Sequence, residues 1–307
     1  MPLIAKLPTN RSFIEANGAY PTHLNVLSRK KNAVQRHIRR GGLGSYEVDF
    51  QSALLALCET SQVDLRFYDV GAHMGIYSAL IASIFRSADP YIVAIEPTPD
   101  TAKVARSLRR ANGLRYKDIE TAVSDTYGEV QLYLSEISES SNSLNPEFRS
   151  GTESVCVPLT TLDRLMEDGL LPPSIVKIDV ETLEANVLRG GLTTIQEHRP
   201  VVTLELLVDI DQDAIGAMLK AIEHFGYTFY QVVPEHTWEA CAAEDVLTKL
   251  SVEHRDWVCA PTALTDYFFD ARMIWRDSLS LCGKATNVLV APGESIADKV
   301  PGTVGYK

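Results

Sequence analysis

Five β-rich runs of this sequence each end in a carboxylate: DLRFYDVG at Asp69, YIVAIEP at Glu96, DIETAVSD at Asp125, SIVKIDVE at Asp179 and Glu181, and RPVVTLELL at Glu205. Open α/β sheets bind ligands at the carboxyl ends of their strands, so these acids would meet at one edge. Asp69 leads directly into Gly71-Ala72-His73-Met74-Gly75, a turn in which backbone can approach a ligand closely. A glycine turn with an acid at the end of the next strand is an arrangement for a nucleoside, the acid accepting both ribose hydroxyls. Glu96, with Pro97 behind it, takes that part.

The ligand is narrowed by what the turn lacks. A nicotinamide dinucleotide needs G-x-G-x-x-G so that a helix N-terminus can hold pyrophosphate, and G-A-H-M-G has no middle glycine. Asp69 would repel a pyrophosphate and suits a ligand that carries an ammonium and a sulfonium. S-adenosylmethionine meets that description. Methyl transfer to an alcohol needs the hydroxyl in line with the methyl group and relieved of its proton. Lys177, Asp179 and Glu181 alternate, so on one continuous strand they share a face. Asp179 and Glu181 are candidate bases, and so is His73, whose ordinary pKa lies near neutrality. A divalent ion on Asp179, Glu181 and Glu205 is a second route; the metal-free one is preferred because Lys177 would partly neutralise the cluster. Lys177 reads as a substrate contact or as the ion-pair partner that holds Asp179.

These residues need a frame, and the chain supplies one. From residue 64 onward short β-rich runs alternate with helical stretches, the pattern of a mostly parallel sheet with right-handed crossovers. Thr98 before Pro99 reads as a helix N-cap, Gly190-Gly191 as a break between helices, and Gly226 as a helix stop. The Ser- and Asn-rich SEISESSNSLNPEFRSG reads as a loop over the acceptor, with Asn142, Ser143 and Leu144 as acceptor contacts. Three units are expected: a basic extension 1–45, a catalytic domain 46–261 and an extension 262–307. The first 45 residues carry eight Lys or Arg against Glu15 alone, although the whole chain has a net charge of −11. An acidic body disfavours nucleic acid; the cluster RKKNAVQRHIRR reads as a solvated helix face or a phosphate contact. Trp238, Trp257 and Trp275 would offer a sugar platform only if exposed, and Trp257 falls within a strand. No apolar run is long enough to span a bilayer. The opening residues show no signal-peptide pattern, and five scattered cysteines point to reduced thiols and a cytoplasmic location.

Taken in order, FYDVGAHMGIYS, VAIEPTPDT, AVSDTYGEVQLYLS, SNSLNP, VPLTTLDRL, VKIDVE, VLRGG and RPVVTLELL resemble the FkbM family of methyltransferases, over about residues 46–261. The resemblance implies a class I methyltransferase fold: a Rossmann-like, seven-stranded α/β sheet with its last strand antiparallel. It also implies S-adenosyl-L-methionine as donor and a hydroxyl of a sugar, glycan or polyketide as acceptor. By position it assigns Asp69, Gly71 and Gly75 to the methionine part, Glu96 to the ribose, and Asp125 with its neighbour Ser124 to the adenine; Ala72, Pro97 and Asp179 are further expected cofactor contacts, and Tyr77 is a cofactor contact or a packing residue. Glu47 in GSYEVDF matches an acid that precedes the first strand in this family. Thr182 stands where the family commonly has glycine, and His73 where asparagine is frequent. The expected activity is O-methylation of a sugar, glycan or specialised metabolite. N-methylation, or a non-catalytic module that binds the same cofactor and docks a partner through its basic N-terminal segment, are the alternatives.

Overall fold

The structure, a computed structural model, describes residues 2–27, 32–61, 64–135, 142–144, 153–288, 299–300 and 302. Seven strands form its central sheet: β1 (Arg66–Val70), β2 (Tyr91–Ile95), β3 (Lys117–Ile119), β4 (Ile175–Ile178), β5 (Val201–Glu205), β6 (Thr228–Gln231) and β7 (Asp256–Ala260). Their order is β3-β2-β1-β4-β5-β7-β6, parallel except for β7, which runs antiparallel to both neighbours. The order reverses between β1 and β4, the point at which such sheets bind ligands.

Both faces are covered, which is why the strands read as continuous apolar runs. Alternation splits them cleanly: Phe67, Ile92 and Ile175 join one core, and Tyr68, Val93 and Val176 the other. Val48–Thr60, Ile76–Ile84 and Asp266–Ser280 close the first face. Glu184–Arg189, Leu192–His198 and Gln212–His224 close the second, the first two separated at Gly190-Gly191 as expected.

The third strand differs from the sequence reading. DIETAVSD is split: Lys117–Ile119 stays in the central sheet, while Ala122–Val123 pairs in parallel with Leu159 and Thr160 of a second, three-stranded sheet that also holds Gly128–Leu134. Ser124 and Asp125 therefore leave the ligand-binding edge. The two extensions also differ from loose appendages. Leu3–Lys6 pairs with both His23–Asn25 and Thr286–Asn287, tying the chain ends into one small sheet. Trp275 is fully buried, packs near Phe13 and Phe85, and donates Nε1–H to Glu59 at 2.7 Å. Trp238 and Trp257 are buried as well, so none of the three tryptophans offers a sugar platform. All five cysteines are unpaired. Among the described residues no helix is long and apolar enough to cross a membrane.

Candidate active site

A cavity of about 290 Å³ opens at the carboxyl edge of β1, β2, β4 and β5. Its charged lining consists of Glu47, Glu96, Asp179, Glu181, Glu205 and Arg255, together with His37 and His73. Three of the lining residues, Glu47, His73 and Glu181, hold left-handed backbone at φ 43°, 50° and 54°. Non-glycine residues adopt that conformation at a cost, and such strain gathers at functional sites.

The glycine turn is built by close approach. The N–H groups of Gly71 and Ala72 both donate to the Ile95 carbonyl, at 3.0 and 2.9 Å, which pulls the turn over the end of β2. Gly71 has φ +75°, and a Cβ there would fall 1.7 Å from the Asp179 carbonyl oxygen. Only glycine lets the turns after β1 and β4 touch. Gly75 starts the helix Ile76–Ile84, and with Ala72 and Tyr77 it is absent from the cavity lining. Tyr77 acts one step back: its buried hydroxyl donates to the Glu47 carboxylate.

Glu96, just after the end of β2, lines the cavity. Its Oε2 accepts the His73 N–H at 2.8 Å and its Oε1 accepts the Thr98 N–H at 2.9 Å. Thr98 thus spends its backbone on Glu96, and its side chain does not cap the following helix. Each carboxylate oxygen keeps further acceptor capacity. Burial raises the Glu96 carboxyl above its ordinary range, opposed by these hydrogen bonds. Beyond Glu96 the cavity is lined by Thr121, Ala122, Val123 and Leu132 rather than by Ser124 and Asp125. The Ser124 N–H donates to Thr160, and Asp125 accepts from Arg189 at 2.9 Å and Asn186 at 3.1 Å, away from the cavity.

Behind the wall lies an ion pair. Lys177 is 3% exposed, with Nζ 3.3 Å from Asp69, 3.1 Å from Asp179 and 3.3 Å from the Gly71 carbonyl oxygen. Asp69 is fully buried and also accepts from Ser78 at 2.8 Å. Neither Asp69 nor Lys177 reaches the cavity; both fix Asp179, which does. Burial opposes ionisation of Asp179, but the Lys177 ammonium and a hydrogen bond from Glu205 hold its carboxyl below the usual range. The expected common face of Lys177, Asp179 and Glu181 stops at Asp179. The strand ends at Ile178, and left-handed backbone at Glu181 and Thr182 (φ 54° and 79°) turns the chain out of the alternation.

Glu205 has a larger place than its sequence suggests. It lines the cavity, lies 3.0 Å from the Arg255 guanidinium, and directly opposes Asp256 across β5 and β7. Burial, with the Asp179 charge beside it, pushes Glu205 up to about 11. Burial and the charges of Glu47 and Asp179 push Asp256 well up also. Glu47 is raised by burial against the Tyr77 hydrogen bond. Burial lowers His73 to about 4, leaving a neutral ring whose buried Nε2 has no partner among the described residues. A cationic ligand would favour the ionised form of these crowded carboxyl groups, so the cavity fits a cationic ligand and, with Glu96, S-adenosylmethionine. Among the described residues no three His, Cys, Asp or Glu side chains are grouped to hold a metal ion.

The loop contacts expected for the acceptor are at the cavity: Asn142, Ser143 and Leu144 all line it. Ser143 pairs with Tyr133 and donates its hydroxyl to the Glu181 carbonyl at 2.9 Å, and Asn142 Nδ2 reaches Thr98 Oγ1 at 3.3 Å. Most of the rest of that loop lies outside the described residues. Lining residues not foreseen include Tyr46, Arg255 and, from the N-terminal extension, Ala33, Val34 and His37. Tyr46 precedes the singled-out Glu47, but nothing in the sequence marks Arg255.

Strand order, reversed last strand and a nucleoside-type acid after the glycine turn define a class I methyltransferase. The chain belongs to the FkbM methyltransferase family: the model of the methyltransferase FkbM domain matches residues 69–229, just over half of the chain. A hexuronic acid methyltransferase, AglP of Haloferax volcanii, is 28% identical over 177 residues, which are 55% of this chain and 67% of that protein. A crystal structure of methyltransferase FkbM from Methylobacillus flagellatus is 14% identical with a TM-score of 0.42, over 64% of this chain and 43% of that one. The O-methyltransferase TomG of Streptomyces achromogenes, solved with S-adenosylmethionine, is 14% identical with a TM-score of 0.37, over 69% and 80% of the two chains. The matched part thus spans less than half of the Methylobacillus chain.

Proposed function

We propose that this protein is an S-adenosylmethionine-dependent O-methyltransferase acting on a hydroxyl of a saccharide. The observation that carries the reading is the pairing, in one cavity, of Glu96, held by two backbone N–H groups, with Asp179, held ionised by buried Lys177. Family membership supports the donor, and the hexuronic acid methyltransferase among its relatives supports the saccharide.

S-adenosylmethionine supplies an electrophilic methyl group on a positively charged sulfur. In this chain Glu96 would accept the ribose hydroxyls, and Glu47 and Asp179 would offer negative charge to the amino-acid end. An alcohol loses its proton as the new C–O bond forms, because an oxygen bearing a third bond is strongly acidic. A carboxylate with a low pKa suffices to take that proton, and Asp179, held ionised by Lys177, would take it. Ser143 and Leu144, in the cavity lining, would face the acceptor.

The test is incubation with methyl-labelled donor and a panel of saccharides, alcohols and amines, followed by location of the label. Label in an ether on a sugar is the expected result. Label on nitrogen, or on non-saccharide alcohols only, overturns the reading.

A further inference from the structure

One wall of the cavity is a helix with a basic outer face. Ala33–Gly41 buries Val34, Gln35 and Ile38 and turns Arg36, His37 and Arg40 outward. Arg36 and Arg40 are one turn apart and so are neighbours on that face. The helix is held firmly at its start. The Gln35 N–H donates to Asn32 Oδ1 at 2.8 Å, and the Asn32 N–H donates to Gln35 Oε1 at 3.3 Å, a reciprocal cap. Gln35 Nε2 donates to the Val26 carbonyl at 3.0 Å, and Asn32 Nδ2 lies 3.4 Å from Met74 Sδ, inside the glycine turn itself. The basic face is therefore positioned by the same turn that shapes the donor side.

A groove of about 390 Å³ runs along this face, lined by Ala33, Arg36, His37, Arg40, Gly41 and Ser45. Ala33 and His37 line the groove and the cavity alike, so the two adjoin across these residues. The cavity is acidic, whereas the groove's lining contains no acid. Arg36 has an interaction partner of its own, and Arg40 forms no ion pair with the described residues. His37 Nε2 is held 2.5 Å from the Ser45 carbonyl oxygen, which fixes its ring over the junction. The chain is acidic overall, so a basic groove beside the carboxylate-rich cavity is a local reversal of charge.

We propose that this groove seats an anionic group of the methyl acceptor, a carboxylate or a phosphate, on Arg36 and Arg40. The acceptor is then an acidic saccharide; this deepens, and rests on, the O-methyltransferase reading above. Guanidinium groups present planar, paired donors that match carboxylate and phosphate oxygens, which is why arginine suits such a seat.

The experiment compares wild type with the Arg36→Gln/Arg40→Gln variant on glucose, glucuronic acid and glucose 6-phosphate, free and as their glycosides, with labelled donor. S-adenosylhomocysteine affinity, measured by calorimetry, serves as the check that the variant keeps its fold. Label should enter the charged sugars, and the variant should raise their KM by about tenfold or more and flatten its salt dependence, with kcat little changed. Preference for the uronate or for the phosphate distinguishes the two sources of charge. Equal use of glucose and its charged counterparts, or an unchanged KM in the variant, overturns the inference and leaves saccharide methylation standing. Label in no saccharide overturns both.

Discussion

Lys177 lies directly across the sheet from Asp69, in register between β4 and β1, and its ammonium is 3.3 Å from that carboxylate. The same ammonium reaches Asp179 two residues along its own strand at 3.1 Å. One buried cation thus links the strand that leads into the glycine turn to the acid at the cavity. Burial works against the Lys177 charge, and the two carboxylates raise its pKa above the ordinary value regardless.

Lys177→Met should therefore be severe. Removing one partner of a buried pair leaves the other charge uncompensated, a loss of about 3–5 kcal/mol. Urea unfolding measures it, and Asp69→Asn added to Lys177→Met should recover part of the loss. A change below about 1 kcal/mol would return Lys177 to the role of a substrate contact.

Glu96→Ala should weaken donor binding by about 1.5–3 kcal/mol, the scale of a lost hydrogen bond to a charged group. Calorimetry with S-adenosylhomocysteine reads this directly. Saturating donor should restore most of the rate, because Glu96 is placed to hold the ribose rather than the reacting atoms. An unchanged dissociation constant removes the ribose assignment.

Most of the frame was legible because both its signals are local. Apolar runs of strand length, punctuated by Gly and Pro, marked β1, β2, β4, β5 and part of β3, and the glycine turn followed by Glu96 marked the edge that carries the cavity. What was not legible depends on how the chain is routed. DIETAVSD reads as one strand, but its second half is captured by Leu159 and Thr160, and Ser124 and Asp125 are not among the cavity lining. Alternation placed Glu181 beside Asp179, but two successive left-handed residues end the strand first. His37 and Arg255 come from segments 140 or more residues from the β4 acids or 50 from β5, and no spacing rule brings them to the cavity.

The carboxylates predict proton-linked donor binding. Glu205, raised to about 11 against an ordinary 4.5, stays protonated in the empty site at neutral pH. Its contribution to stability is full below its unfolded pKa and is lost as pH rises toward the folded one. A cationic ligand favours the ionised form, so donor binding should release up to about one proton near pH 7. Calorimetry in buffers of different ionisation enthalpy measures that number. It should be larger for S-adenosylmethionine than for S-adenosylhomocysteine, which lacks the sulfonium charge; equal and near-zero values would refute the linkage. His73 acts in the opposite sense: lowered from 6.5 to about 4, it contributes stability above its unfolded pKa that is lost as pH falls through the folded value.

Thr182→Gly should stabilise the protein. Thr182 has φ +79°, a costly conformation for a β-branched residue, and its buried hydroxyl has no hydrogen-bond partner among the described residues. Glycine, common in the family here, removes both penalties at the expense of greater freedom in the unfolded chain. A net gain of about 1 kcal/mol is expected from denaturant unfolding. A loss of stability would mean that the threonine methyl contributes more packing than its backbone costs.

The activation of the hydroxyl separates three candidates. Asp179 lines the cavity, is held ionised by Lys177 and is fixed through it to Asp69. Glu181 lies beyond the end of the strand on left-handed backbone, and His73 is a weak base at about 4. Asp179→Asn should then lower kcat by about 10²–10⁴ at saturating donor. Glu181→Gln should stay within a few-fold of wild type, and so should His73→Asn, since asparagine tolerates the φ of +50° that residue 73 requires. A chelator separates the base from a metal, because a required divalent ion would make its loss complete and restoration by magnesium or manganese possible. Retained rate in chelator together with a slow Asp179→Asn supports the carboxylate as base. Full activity in Asp179→Asn, or chelator loss reversed by a divalent ion, removes it from that role.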